Sequence, residues 1–207
     1  MPLRTHELHP SSVHVPLVLL PAAALVDLAA ALSPRDRRLD RFGRGLWWAT
    51  AGGGLLVGLA GMAASQEIEL RSDRARDMMF LHGIGNLTIV LSAFGVAAWR
   101  ARNRASLTSA AAGLLASSAV IYTAYLGGQL VYSHGAGVKA LGGAAAKTPP
   151  LLSAEGATRL ARDAGRGLSW LLVRGWRAVT ERQKVDRGAL GPIAEKAAAP
   201  EQPPAAM

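Results

Sequence analysis

The sequence predicts an all-α fold, a four-helix transmembrane bundle followed by a C-terminal peripheral amphipathic helix. Three observations predict it. Half of the 207 residues are hydrophobic, although only 5% are aromatic. Four windows of about 20 residues, at 13–32, 45–65, 79–99 and 106–132, are nearly free of Asp, Glu, Lys and Arg, and arginine-rich segments separate them. At 1.5 Å rise per residue each window gives roughly 30 Å of helix, the thickness of a hydrocarbon core. Beyond them, residues 154–182 set apolar and arginine positions on opposite faces at helical spacing.

Composition narrows the chemistry. The chain has no cysteine, which excludes disulfides, c-type haem attachment, thiolate zinc sites and cysteine-held iron–sulfur clusters. Its net charge is +9, from 23 Lys and Arg against 14 Asp and Glu. The arginines flank apolar spans, so lipid headgroups are the expected counter-charge. Nucleic acid is not an expected partner, because no soluble basic domain exists to carry it.

In chain order, residues 1–12 read as a polar lead. No small-residue cleavage site follows the first window, which reads as a retained helix. Pro16 falls in its first turn at no cost, and Pro21 is expected to bend it. Asp27 is the one acid inside any window. It reads either as an interfacial carboxylate paired with an Arg of the next loop or as a proton-relay group. Residues 33–44 read as a tight loop with five Arg, and Trp47 and Trp48 as interfacial anchors of the second helix. The glycines at 52–61 have the spacing that lets helices approach closely.

His82 and Asn86 lie one turn apart on the third helix and should face the bundle. Trp99, Arg100, Arg102 and Arg104 close that helix. Tyr122, Tyr125, Gln129 and Tyr132 share one face of the fourth, just before His134. Residues 136–153 read as a Gly/Ala/Pro linker, 154–182 as a basic helix on the membrane surface or in a partner's groove, and 183–207 as a disordered tail.

The 1–2 and 3–4 loops hold eight Arg and two Asp, while the N-terminus and the 2–3 loop hold four Arg and five acids. The positive-inside rule makes the first pair of loops cytoplasmic. It gives a multi-pass protein of the inner membrane with both termini on the outer face. An up-down bundle then brings His14, His82 and His134 to one end at similar depth, with His9 just outside them, so that four of the five histidines gather at one face of the 13–135 domain. Three uses suit such a cluster. Two imidazoles could be axial ligands of a b-type haem, three (His14, His82 and His134) could bind a transition ion, or they could serve a quinol or proton path. Hydrogen bonding to loop backbone is the structural alternative.

The motifs His9-Pro10…Val13-His14-Val15-Pro16, the lone His82, and Gly128…Tyr132-Ser133-His134-Gly135 resemble the domain-of-unknown-function 2231 family of bacterial four-helix predicted membrane proteins, over about residues 8–138. The resemblance implies a small integral membrane domain, and members look joined in some cases to Rieske-type electron-transfer modules. More loosely, the chain is similar to four-helix b-type cytochromes. Two functions are therefore expected. One is a haem- or metal-binding electron-transfer component, working with a redox partner protein and not an enzyme on its own. Its cofactor residues are His14, His82, His134 and His9, with Asn86 and Gln129 hydrogen-bonding the group and the tyrosines lining it. The other is a non-enzymatic membrane subunit or scaffold with structural histidines and a docking C-terminal helix.

Overall fold

The computed structural model describes residues 4–138, 150, 152–181 and 183–190. Most of the expected linker and the tail beyond 190 lie outside the described residues. Every regular element described is helical: α1 (Thr5–Ser12), α2 (His14–Leu32), α3 (Arg37–Ser65), α4 (Asp73–Arg102), α5 (Leu107–Tyr132) and α6 (Ala154–Thr180), with a 3-10 turn at Arg187–Leu190.

Among the described residues, four stretches are long and apolar enough to cross a membrane, Thr5–Leu32, Arg37–Ser65, Asp73–Arg102 and Leu107–Tyr132. They coincide with the four windows and extend them. The extensions are charged ends held helical by caps, which hydropathy does not register. Asp36 accepts from the Arg38 and Leu39 amides at 2.9 Å, so α3 starts two turns inside the expected loop. Ser72 caps α4 and Ser106 caps α5 in the same way. The polar lead is helical too. With only Val13 between α1 and α2, the first span begins at Thr5, and His9 lies within it. Pro10 and Pro21 are both accommodated inside helices.

Each of α2, α3, α4 and α5 packs on its two neighbours in the ring α2–α3–α4–α5–α2, an up-down bundle. Small residues fill it: Ala23, Ala51, Ala93 and Ala97 are buried with Leu20, Trp47 and Val120. Larger side chains look outward, with Leu56, Leu91, Leu115 and Ile121 exposed by 70%, 61%, 71% and 67%. This inversion is what a bundle in lipid requires, since apolar side chains lose nothing by facing acyl chains and helices gain contact through small ones.

The amphipathic helix is present, and it is docked. α6 packs across α3 and α4, burying Ala164, Gly167, Leu171 and Arg174. A Cβ on Gly167 would overlap the Met62 carbonyl, so the crossing depends on a glycine there. Arg174 bonds Asp77 at 2.8 Å and lies 4.9 Å from the centre of the Phe80 ring.

Candidate functional site

Two imidazoles meet inside the bundle, and they are His9 and His82. Their ring centroids are 6.1 Å apart and their planes are nearly perpendicular, at 87°. His9 Nδ1 lies 3.0 Å from the Val57 carbonyl oxygen on α3. His82 Nδ1 lies 2.8 Å from the Thr123 carbonyl oxygen on α5. A carbonyl only accepts, so Nδ1 carries the proton in both rings and Nε2 keeps its lone pair.

The helices make room for this by a repeated device. Val57 and Thr123 are mid-helix, and each carbonyl already accepts from the amide four residues on. A donor from another helix reaches such a carbonyl most directly where no side chain stands one turn later. Gly61 and Gly127 stand at those two places. A Cβ on Gly61 would come 2.8 Å from His9 Nδ1, and one on Gly127 would come 2.9 Å from His82 Cε1. Asn86 completes the site. Its Nδ2 donates to the His82 carbonyl at 2.9 Å and lies 3.2 Å from His82 Nε2, while its Oδ1 accepts from the Thr123 hydroxyl at 2.9 Å.

The other expected members are elsewhere. His14 is exposed on the outer side of α2, because five residues from His9 is about 140° of helical rotation and only one of the two can face inward. His134 follows α5, with its Nε2 buried and without a hydrogen-bond partner among the described residues. Burial, and after it the nearby Arg74 guanidinium, holds its pKa below the ordinary histidine value. Gln129 accepts from the Ser133 hydroxyl at 2.9 Å, a bond within its own turn. The tyrosines do not line the site: Tyr122, Tyr125 and Tyr132 face outward, and Tyr122 donates to the Leu190 carbonyl. Among the described residues no three His, Asp or Glu side chains gather as a metal-holding group, so the expected His14–His82–His134 centre is not assembled.

Two further polar clusters frame the pair. Near the opposite end of the bundle, Arg100 is wholly buried and donates to Asp27 Oδ2 at 2.9 Å and to Asp40 Oδ1 at 3.0 Å. Trp47, expected as an interfacial anchor, is buried and donates its Nε1–H to Asp27 Oδ2 at 3.0 Å. Trp48, half exposed against Phe94, is the one that fits the anchor role. Asp27 is therefore the paired carboxylate of the two readings, and its partner comes from the end of α4 rather than from the next loop. At the near end, buried Glu67 accepts from the Thr5 hydroxyl at 2.7 Å, lies 3.2 Å from His6 Nδ1 and pairs with Arg159 of α6 at 3.5 Å. Sequence patterning does not single out His6 and Glu67, which sit in segments of mixed charge that look solvent-exposed. An apolar layer of Leu20, Ala23, Ala51, Ala93, Ala97 and Val120 separates the histidines from the Asp27–Arg100 pair.

The family model for a predicted membrane protein, DUF2231, matches residues 5–140. The chain belongs to the DUF2231 family. The match takes in α1 to α5 and hence His9, His82, Asn86 and Thr123, whereas α6 lies outside it. No match is found among curated proteins or among solved structures. The DUF2231 part of the chain is thus the multi-pass membrane domain, and its paired, half-buried imidazoles are its most chemically distinctive feature.

Proposed function

We propose that this protein is a membrane electron-transfer component in which His9 and His82 would hold a b-type haem. The observation that carries the reading is the pair itself, two imidazoles from different helices with centroids 6.1 Å apart and both Nδ1 atoms committed to carbonyls. Two imidazoles held this close, each with its Nδ1–H committed to a carbonyl and its Nε2 lone pair retained, are the donors that would hold a haem iron. A Nδ1–H to carbonyl bond is the usual second contact of a ligating histidine, fixing its tautomer and raising its basicity. A porphyrin brings four nitrogens of its own and asks the protein for two, which suits a site with two histidines better than a bare ion does. When bound, the haem would supply one-electron chemistry. The chain would hold the iron through the two imidazoles, with Asn86 fixing the helical turn that carries His82 through its bond to the His82 carbonyl.

The alanine-rich layer below the pair favours electron transfer over a proton path: its buried hydroxyls are Thr50 and Ser117, and among the described residues no hydrogen bond joins either to the histidines or to Asp27. We read the arginine-rich ends of α3 and α4 as cytoplasmic. The His9–His82 end then faces outward from the inner membrane, and a redox partner protein would approach from that side.

Absorbance of the detergent-purified protein, oxidised and then dithionite-reduced, tests this. The protein should come from cells able to supply haem. A sharp reduced band is expected, abolished by His9→Ala and by His82→Ala and kept by His14→Ala and His134→Ala. A colourless wild-type protein would overturn the reading in favour of the second one, a membrane scaffold with structural histidines. The Asn86 amide 3.2 Å from His82 Nε2 is the observation that favours that alternative.

A further inference from the structure

Helix α6 presents three different surfaces, and the bundle fixes which way each one points. At about 100° of rotation per residue, Arg159, Asp163 and Arg174 fall along one edge. That edge meets groups close to the α3–α4 turn, with Arg159 on Glu67 at 3.5 Å and Arg174 on Asp77 at 2.8 Å. Rotating onward, Gly167 and Leu171 sit on Met62 and Gly83. Gly83 is six residues beyond Asp77, about 9 Å farther down α4. Continuing in the same sense brings round Leu168, Leu172, Trp176 and Val179. This edge therefore looks down the sides of the spanning helices, toward hydrocarbon. It is unpartnered, with Leu172, Trp176 and Val179 exposed by 53%, 69% and 81%.

The remaining surface, away from the bundle, carries further arginines, Arg162 and Arg166. Among the described residues, Glu155, Thr158, Arg159, Arg162, Asp163 and Arg166 line a groove of about 540 Å³, three guanidiniums against two carboxylates. Arg159 is engaged by Glu67 and Asp163, and Arg166 lies 3.5 Å from Asp163. Arg162 has no partner among the described residues and stands one turn from Arg166 on the same side.

We propose that this groove binds the phosphate of an anionic phospholipid, whose acyl chains descend along the Leu168–Leu172 edge. The arrangement matches what a lipid in that leaflet offers. Its headgroup phosphate lies level with the α3–α4 turn, where Arg162 and Arg166 face outward, and its hydrocarbon lies below, where the exposed leucine, tryptophan and valine point. The ion pairs to Glu67 and Asp77 set the rotation of α6 and keep the two halves of the site in register. α6 lies outside the family match, so this lipid site is not part of what the family model describes.

The test uses the full chain in detergent, titrated with phosphatidylglycerol, phosphatidylcholine or inorganic phosphate and read as adducts by native mass spectrometry. Phosphatidylglycerol is expected to bind, and R162Q/R166Q to weaken it about thirtyfold at the strength typical of basic residues near anionic lipid. R162K/R166K should keep most of the binding, which separates lost charge from lost fold. Equal binding of the two lipids, or an unaffected R162Q/R166Q variant, would overturn the proposal and hand the arginine face to an acidic protein partner. Inorganic phosphate binding as tightly as phosphatidylglycerol would also overturn it, in favour of a free-phosphate site.

Discussion

Gly127 stands one helical turn after Thr123, and its missing side chain is what opens the Thr123 carbonyl to His82. The relationship is repeated on the other side of the bundle, where Gly61 follows Val57 and opens it to His9. Gly127→Ala is expected to destabilise the protein by about 1–3 kcal/mol, the usual cost of overpacking, because the new Cβ would lie 2.9 Å from His82 Cε1. Gly128→Ala is the control. The nearest atom to its added Cβ is in Tyr132 at 4.0 Å, so its effect should stay within about 0.5 kcal/mol. Denaturation of both variants in detergent checks this, and equal effects would remove the packing argument.

Arg100 sits between two carboxylates, and removing it leaves buried Asp27 with the Trp47 N–H but no cation, and Asp40 with Arg44 and the Ala105 amide. Arg100→Met should cost about 3–5 kcal/mol, the range for breaking a buried pair by deleting one partner. Asp27→Asn leaves Arg100 its bond to Asp40 and should cost less, about 1–3 kcal/mol. A reversed order of the two, measured by unfolding in mixed micelles, would count against Arg100 as the centre of the network.

His134 gives stability a pH dependence of definite sign. Its folded-state pKa is held below the ordinary 6.5 by burial and then by Arg74. The unfolded chain therefore takes up a proton first as pH falls. The contribution is fully present above pH 6.5 and is lost as pH drops from there through the folded-state value. Melting temperature between pH 8 and pH 5 should fall less for His134→Gln than for the wild type. An unchanged slope would show that other groups carry the effect.

Glu67 ties three segments that are far apart in sequence, α1 through Thr5 and His6, the α3–α4 turn, and α6 through Arg159. Glu67→Gln weakens the ionic half of that knot. Hydrogen exchange should accelerate in α1 and in the first turns of α6 and stay unchanged in the middle of α2, α3, α4 and α5. Acceleration spread evenly over the bundle would mean that Glu67 serves global stability instead.

Much of this architecture is legible in the residues. Long uncharged windows have one physical meaning, and the four spans coincide with them. The site is legible only in part. The cost of exposing polar groups to lipid places His82 and Asn86 facing inward. Between His9 and His14, the start of the apolar run favours His14, whereas the bundle chooses by helical phase. His9 and Asp27 are eighteen residues apart, five full turns, and so share the inward face on which Asp27 meets Arg100. That spacing is present in the chain, and His14 falls off it. The Asp27–Arg100 pairing is out of reach, because its partners are separated by 73 positions and come together only through packing. Docking of α6 is hidden for a related reason. Arg174 and Asp163 read as ordinary solvated charge until the acids and aromatics of other helices are brought beside them.

The arrangement of alanine inside and leucine outside bears on how this molecule can change over time. In a water-soluble domain the core resists substitution and the surface drifts. Here the outward residues can be exchanged among Leu, Ile, Val and Phe with little effect, since a fluid acyl chain has no fixed shape to match. The inward alanines and glycines can neither grow nor shrink without moving a helix. Variation across natural relatives should therefore run against residue size, with the smallest side chains the most fixed, and the inward and outward faces of each span should be separable by that pattern alone.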